Sequence, residues 1–400
     1  MNPIAAYIHI PFCRRRCYYC DFPVFVVGDR KNGSNSGNIH IYLEALSREI
    51  ANQVNFGAPL ETIFFGGGTP SLLTTEQIGR ILAQLAAKFG IAPGAEISME
   101  IDPGTFDRSQ LAGYLAMGVN RVSMGVQTFD DDLLRLCGRS HTVADIYAGV
   151  DIIHDTGITN WSLDLISGLP QQTSQHWVDS LNRAIALAPQ HISNYDLIVE
   201  AQTPFARQYS PGDLPLPSDE ATAQMYRTAQ SMLTTAGYEH YEICNYARSG
   251  AECRHNLTYW RNLPYYAFGM GAASHLDGSR FTRPRTTDTY YQWVADGGDW
   301  HTETISQNER RLETLMLGMR LREGVKLGSI ASEFGTDTLD ELWQCLAKYQ
   351  RCGWVEVLGA HLQVIVDVQR LSEDDSIRLS DPDGLLFSNV VLSEIFARLD

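Results

Sequence analysis

Three cysteines fall within eight residues, Cys13, Cys17 and Cys20, in the spacing C-x3-C-x2-C, while Cys137, Cys244, Cys253, Cys345 and Cys352 are scattered as small buried hydrophobes are. Thiolates ligate iron–sulfur clusters and zinc. A structural zinc takes four protein ligands, and no fourth cysteine lies nearby; His9 stands four residues before Cys13, on a predicted strand. Three thiolates on a [4Fe–4S] cluster leave one iron open to a small molecule, so the spacing suits chemistry better than scaffolding. Three buried thiols or a zinc knuckle are the alternatives.

Further polar and glycine positions stand where successive strands end. Gly66-Gly67-Gly68-Thr69-Pro70 follows a second apolar run, and glycine lets backbone approach a ligand closely. Glu100 closes a third run, Gln127 follows a fourth, and Asp164 lies in a fifth. Each alone is commoner as a turn or capping residue; as a set they would ring one mouth.

The elements that must position them are short apolar runs alternating with amphipathic segments. The predicted strands cover 6–10, 62–65, 97–101, 121–126, 162–166 and 192–197. Ile39, Tyr42, Leu43, Leu46, Ile50 and Val54 recur at helical spacing, as do Ile78, Ile81, Leu82, Leu85 and Phe89. Thr74 and Gln77 form a capping-box pattern ahead of the latter. Strands each followed by a helix predict an α/β fold of parallel strands with right-handed crossovers, either an open doubly wound sheet or a full or partial barrel.

Pro204, Pro211, Pro215 and Pro217 mark a connection, a helix resumes over 219–236, and 238–300 has weak periodicity. Beyond about residue 306, two helical patterns precede runs at 354–358 and 362–366 that read as a hairpin around Gly359-Ala360. The expected division is 1–217 for the core, 218–305 completing it, and 306–400 for a small α+β, winged-helix-like domain. The polar stretch Gly28–Asn38 reads as a mobile loop. Lys plus Arg number 31 against 47 Asp plus Glu, a net charge of −16 that repels phosphate backbones and argues against a nucleic-acid partner. The N-terminus lacks a secretory pattern, and no run of ~18 apolar residues predicts a membrane span. A cytoplasmic protein without disulfides is expected.

The cysteine motif, with aromatic Tyr19 before its third cysteine, resembles that of the radical S-adenosylmethionine (SAM) superfamily. The resemblance implies a partial (β/α)6, TIM-like barrel with a [4Fe–4S] cluster at the strand C-terminal ends, where barrel active sites lie. It also implies SAM on the open iron, cleaved by one electron to methionine and a 5′-deoxyadenosyl radical.

Tyr7 to Cys13, GGGTPSLL at 66–73, EIDPGT from Glu100, RVSMGVQTF at 121–129, Gly138-Arg139 and DLISGLP from Asp164 are similar to two families within it. One is the oxygen-independent coproporphyrinogen III dehydrogenase HemN; the other is the heme chaperone HemW. The implied SAM contacts are Tyr7, Tyr19, Gly67, Gly68, Thr69, Glu100, Gln127, Arg139 and Asp164, with Arg139 suited to the SAM carboxylate.

Three features favour the chaperone. Phe22 stands where the dehydrogenase has a further cysteine, few residues precede the first strand, and Arg254–Trp260 carries the HNxxYW motif associated with heme through His255, Asn256, Tyr259 and Trp260. Histidine is a common axial heme ligand, and aromatic rings pack on porphyrin faces; a hydrogen-bonded structural His255 is the alternative. The expectation is a carrier of heme to acceptor apoproteins, with the membrane surface as a place of delivery and peripheral association, and with an electron donor for the cluster. Oxidative decarboxylation of coproporphyrinogen III to protoporphyrinogen IX is the alternative activity, and an unrelated substrate on the same scaffold a third reading.

Overall fold

The computed structural model describes residues 2–298, 304–366 and 368–399. The chain forms two compact units, Met1–Met232 with Pro264–Glu303, and Leu233–Leu263 with Thr304–Asp400.

In the first unit all six expected strands form: β1 (Ala5–Ile10), β2 (Leu60–Gly67), β3 (Ile91–Ile101), β4 (Arg121–Gln127), β5 (Trp161–Ser167) and β6 (His191–Asp196). Each pairs in parallel with the next, in strict chain order, and Tyr266–Phe268 adds a short parallel strand outside β1. That order decides between the two architectures left open by the sequence. A doubly wound sheet reverses direction partway, whereas sequential right-handed crossovers place every helix on one face and curl the sheet into a partial barrel. The helices between successive strands are α1 (Gly37–Asn52), α2 (Thr75–Phe89), α3 (Arg108–Ala116), α4 (Asp131–Leu136), α5 (Val143–Thr156) and α6 (Ser174–Leu187).

Local chemistry explains several boundaries. The Thr74–Gln77 capping box is present, with both reciprocal hydrogen bonds, and α2 buries Ile78, Ile81, Leu82, Leu85 and Phe89. Inside the stretch read as a loop, α1 already begins at Gly37. The Gly33 N–H donates to the Leu72 carbonyl at 2.7 Å, and the Gln77 amide donates to the Gly33 carbonyl at 2.9 Å, so the middle of that stretch is tied to the start of α2. Deeper in the unit, Glu49 of α1 is 3% exposed and accepts from Arg283 Nε (2.7 Å), the Tyr290 hydroxyl (2.7 Å) and the Gly269 N–H (2.8 Å). This buried pair fixes the 264–298 segment to the barrel.

The second unit holds the helix Arg254–Trp260, a hairpin of Glu239–Glu242 and Asn245–Ala247, and helices Gln307–Gly318, Leu327–Phe334, Asp337–Arg351 and Ser388–Leu399. Its antiparallel sheet runs in the order Val325–Lys326, Ser376–Leu379, Val355–Leu358, Val364–Ile365. The expected hairpin is present, with Val357 opposite Ile365; its second arm is shorter than the sequence run because Leu362 takes a turn conformation at φ +59°. The strand Ser376–Leu379, which pairs with both Val325–Lys326 and Val355–Leu358, was not anticipated. Among the described residues, no helix is long and apolar enough to cross a membrane.

Candidate functional site

The C-terminal ends of the barrel strands surround a cavity of about 400 Å³. Cys13, Cys17 and Cys20 line it together with Tyr19, Gly67, Gly68, Thr69, Glu100, Gln127, Arg139 and Asp164. Of the residues expected to contact SAM, only Tyr7 lies outside this wall. Its hydroxyl is 3.0 Å from His9 Nδ1 and its ring stacks on Phe64. His9 Nε2 lies 2.9 Å from the Pro23 carbonyl, which can only accept, so Nε2 carries the proton and Nδ1 accepts from Tyr7. Burial lowers the His9 pKa to about 4, and both ring nitrogens are engaged, so His9 is a wedge under the cysteine loop rather than a ligand in it.

That loop is held at both ends. Phe12–Cys13 pairs in parallel with Phe25–Val26, with the Val27 N–H donating to the Cys13 carbonyl at 2.9 Å. Tyr18 donates its N–H to the Cys137 carbonyl and accepts from the Phe205 N–H, each at 3.0 Å. The glycines after β2 are required by the same packing. Gly67 has φ +106°, and a Cβ there would meet the His9 ring at 2.3 Å; a Cβ on Gly68 would meet the Ile10 and Phe12 carbonyl oxygens at 2.7 Å. The Gly68 and Thr69 N–H groups donate to those carbonyls, so the turn is stitched to the chain that carries Cys13.

Three carboxylates gather on the polar side of the wall. Glu100 accepts from the Gly67 N–H at 2.9 Å; burial first, then the charge of Asp164, raise its pKa to about 8. Asp164 accepts from the Ser123 hydroxyl at 3.0 Å, and burial raises its pKa to about 6. Asp102 behaves oppositely. Burial opposes its charge, but the Arg139 guanidinium at 2.5 Å and the Thr69 hydroxyl at 2.9 Å hold it below the usual carboxylate range. Arg139 also donates to the Gly125 carbonyl at 2.8 Å and reaches Cys17 Sγ at 3.4 Å. Gly125 leaves room for this pair, since a Cβ there would meet Asp102 at 2.9 Å and Arg139 at 3.3 Å.

Asp102, Ser123 and Gly125 were not among the expected site residues, though a signal existed. Asp102 follows Glu100 by two positions, as Gln127 follows Gly125, and residues two apart on a strand share a face. Gln127 takes φ +70°, rare for a side-chain-bearing residue, where the β4–β5 register shifts by one; such strain concentrates at working sites.

The donor set fits an iron–sulfur cluster with a small polar ligand. Three thiols share one wall. Three is the number that would leave one iron of a [4Fe–4S] cluster open to a small ligand. Burial raises Cys13 and lifts Cys20 to about 11, so both thiols give up protons when a metal group takes them. Arg139 Nε is buried without a hydrogen-bond partner, a donor left for a ligand to satisfy.

His255, Asn256, Tyr259 and Trp260 lie on the helix Arg254–Trp260 of the second unit. His255 is fully buried, its Nε2 shares a hydrogen bond with the Tyr259 hydroxyl at 2.8 Å, and burial lowers its pKa to about 3.

Residues 7–184 match the family model of the radical SAM superfamily, and residues 305–364 that of the HemN C-terminal domain. The chain is 49% identical to a Synechocystis protein named heme chaperone HemW, over 100% of this chain and 98% of that protein. It is 37% identical to the Bacillus subtilis protein of the same name, over 86% of this chain and 90% of that one. Among solved structures, coproporphyrinogen III oxidase (HemN) of Escherichia coli superposes with a TM-score of 0.80 over 98% of this chain and 90% of that chain; at 24% identity this establishes the fold.

Proposed function

Because the chain belongs to the radical SAM superfamily and, within it, to the HemW family, we propose that it binds heme and hands it to acceptor apoproteins. The observation that carries this reading is the 49% identity across the full chain to a protein named heme chaperone. The superfamily implies a [4Fe–4S] cluster and SAM, and the cavity supplies a fitting donor set: Cys13, Cys17 and Cys20 for the cluster, and Tyr19, Gly67, Gly68, Thr69, Glu100, Gln127, Arg139 and Asp164 for SAM. When bound, the cluster supplies one electron to cleave SAM.

The chain's own residues do the rest. Asp102 and the Gly125 carbonyl fix Arg139, which presents positive charge beside Cys17 and toward a ligand carboxylate. Glu100, whose pKa burial raises to about 8, would ionise beside a cationic ammonium group of a ligand.

On the helix Arg254–Trp260, burial keeps His255 neutral, the form in which imidazole ligates iron. Ligation there requires the Tyr259 contact to open. Delivery to acceptors at the membrane surface from the cytoplasm, and reduction of the cluster by an electron donor, belong to the same reading.

Decarboxylation of coproporphyrinogen III is the second reading, favoured by the HemN-like fold. Against it, Phe22 lines the cavity where the dehydrogenase pattern has cysteine. One anaerobically reconstituted sample tests both. Heme retained through gel filtration, without conversion of coproporphyrinogen III in the presence of SAM and reductant, is the expected result. Multiple-turnover formation of protoporphyrinogen IX would reverse the order of the two readings.

A further inference from the structure

Large exposed apolar side chains are ordinary when scattered singly, but a group of them at one cavity marks a binding surface. Phe22 (57% exposed), Tyr195 (41%) and Ile198 (68%) all line the cysteine cavity, with Val24, Ile166 and Leu197 beside them. The wall is therefore divided. Glu100, Asp102, Arg139 and Asp164 form its polar side, while Phe22 and Ile198 are more than half exposed and face outward.

The cysteine loop also carries three consecutive arginines, which are not equivalent. Arg14 donates to the Gly104 carbonyl at 2.7 Å. Arg15 makes a two-pronged ion pair with Asp29, at 2.9 and 3.3 Å. Arg16 lines the cavity, is exposed, and donates only to the Cys20 carbonyl, at 3.2 and 3.3 Å, with no carboxylate partner among the described residues. In a chain of net charge −16, an unmatched guanidinium beside an apolar surface selects for a ligand that is itself apolar and carries a carboxylate.

We propose that the cavity mouth is a heme-holding surface: the macrocycle lies against Phe22, Tyr195 and Ile198, and a propionate pairs with Arg16. This rests on the heme-carrier reading and adds to it a surface separate from the helix Arg254–Trp260. The buried His255 needs its Tyr259 contact opened before it can meet a ligand, whereas these side chains are exposed as they stand. Recognition here runs through the porphyrin face and edge, not through iron, so metal-free protoporphyrin IX binds as well as hemin does.

The test is a hemin titration of the anaerobically reconstituted full chain, followed by difference absorbance and gel filtration. The variants are Phe22→Ser, Ile198→Ser and Arg16→Gln, with iron and sulfide content measured for each. Ile198→Ser is expected to weaken hemin and protoporphyrin IX about tenfold with cluster content unchanged, as loss of an apolar side-chain contact does. Phe22→Ser acts similarly, and Ile198→Ser carries the test alone if Phe22→Ser loses cluster. Arg16→Gln is expected to weaken hemin several-fold and leave the dimethyl ester of protoporphyrin IX unaffected. Hemin affinity within twofold of wild type in Ile198→Ser and Arg16→Gln overturns this inference while leaving the carrier reading intact. Failure of the wild-type chain to retain hemin overturns the carrier reading and takes this surface with it.

Discussion

Replacing Glu100 by Gln is expected to stabilise the cluster-free protein in a pH-dependent way. The folded state holds the Glu100 proton up to about pH 8, against an ordinary value of 4.5, chiefly because burial disfavours the charge and Asp164 adds repulsion. Folded protein therefore binds the proton more tightly than unfolded chain. The stability this represents is fully present below about pH 4.5 and is lost as pH rises through about 8. That interval corresponds to at most ~5 kcal/mol, and because the carboxyl lines an open cavity, screening reduces the realised figure to ~2–3 kcal/mol. Gln keeps an acceptor oxygen for the Gly67 N–H and has no proton to lose. The variant should match wild type near pH 5 and exceed it by ~2–3 kcal/mol near pH 8.5 in urea unfolding. Asp164, raised to about 6 for the same reason, remains in the variant, so a smaller decline should persist toward pH 6. A difference between the two proteins that stays constant across the range would refute the assignment of a buried, proton-holding Glu100.

Cys17→Ser should lose most iron and sulfide on anaerobic reconstitution, whereas Cys253→Ser, buried in the second unit, should retain a normal content; near-normal cluster in the former sinks the ligand assignment. Glu49→Ala strands Arg283 at 2% exposure and should cost ~3–5 kcal/mol in denaturant unfolding, with Arg283→Met in the same chain recovering much of it. A loss below ~1 kcal/mol in the single variant would show that the pair does not anchor the segment. His255→Ala should shift the Soret band of retained heme and leave cluster content unchanged; an identical spectrum would leave His255 as a buried partner of Tyr259 alone.

Much of this molecule is legible along the chain because its signals are local. The six strands, the α2 capping box and the C-x3-C-x2-C loop depend on residues within a few positions of one another, so spacing alone specifies them. The same holds for Glu100, Gln127 and Asp164, which parallel strands carry to one mouth without further information. Strand order is different in kind. Whether the sheet is doubly wound or a partial barrel depends on which strands pair, and the same alternation of elements satisfies both.

The electrostatics of the site also needed the tertiary structure. Asp102 immediately follows β3 and Arg139 follows α4, 37 positions away, yet their contact and the room left by Gly125 decide that Asp102 stays ionised while Glu100, two residues earlier near the end of β3, holds its proton. His255 shows the same limit, since its motif could be read from six residues but its complete burial could not. Side-chain type and spacing are properties of the chain, whereas desolvation and the charge of a neighbour are properties of the space around an atom, which only long-range packing creates.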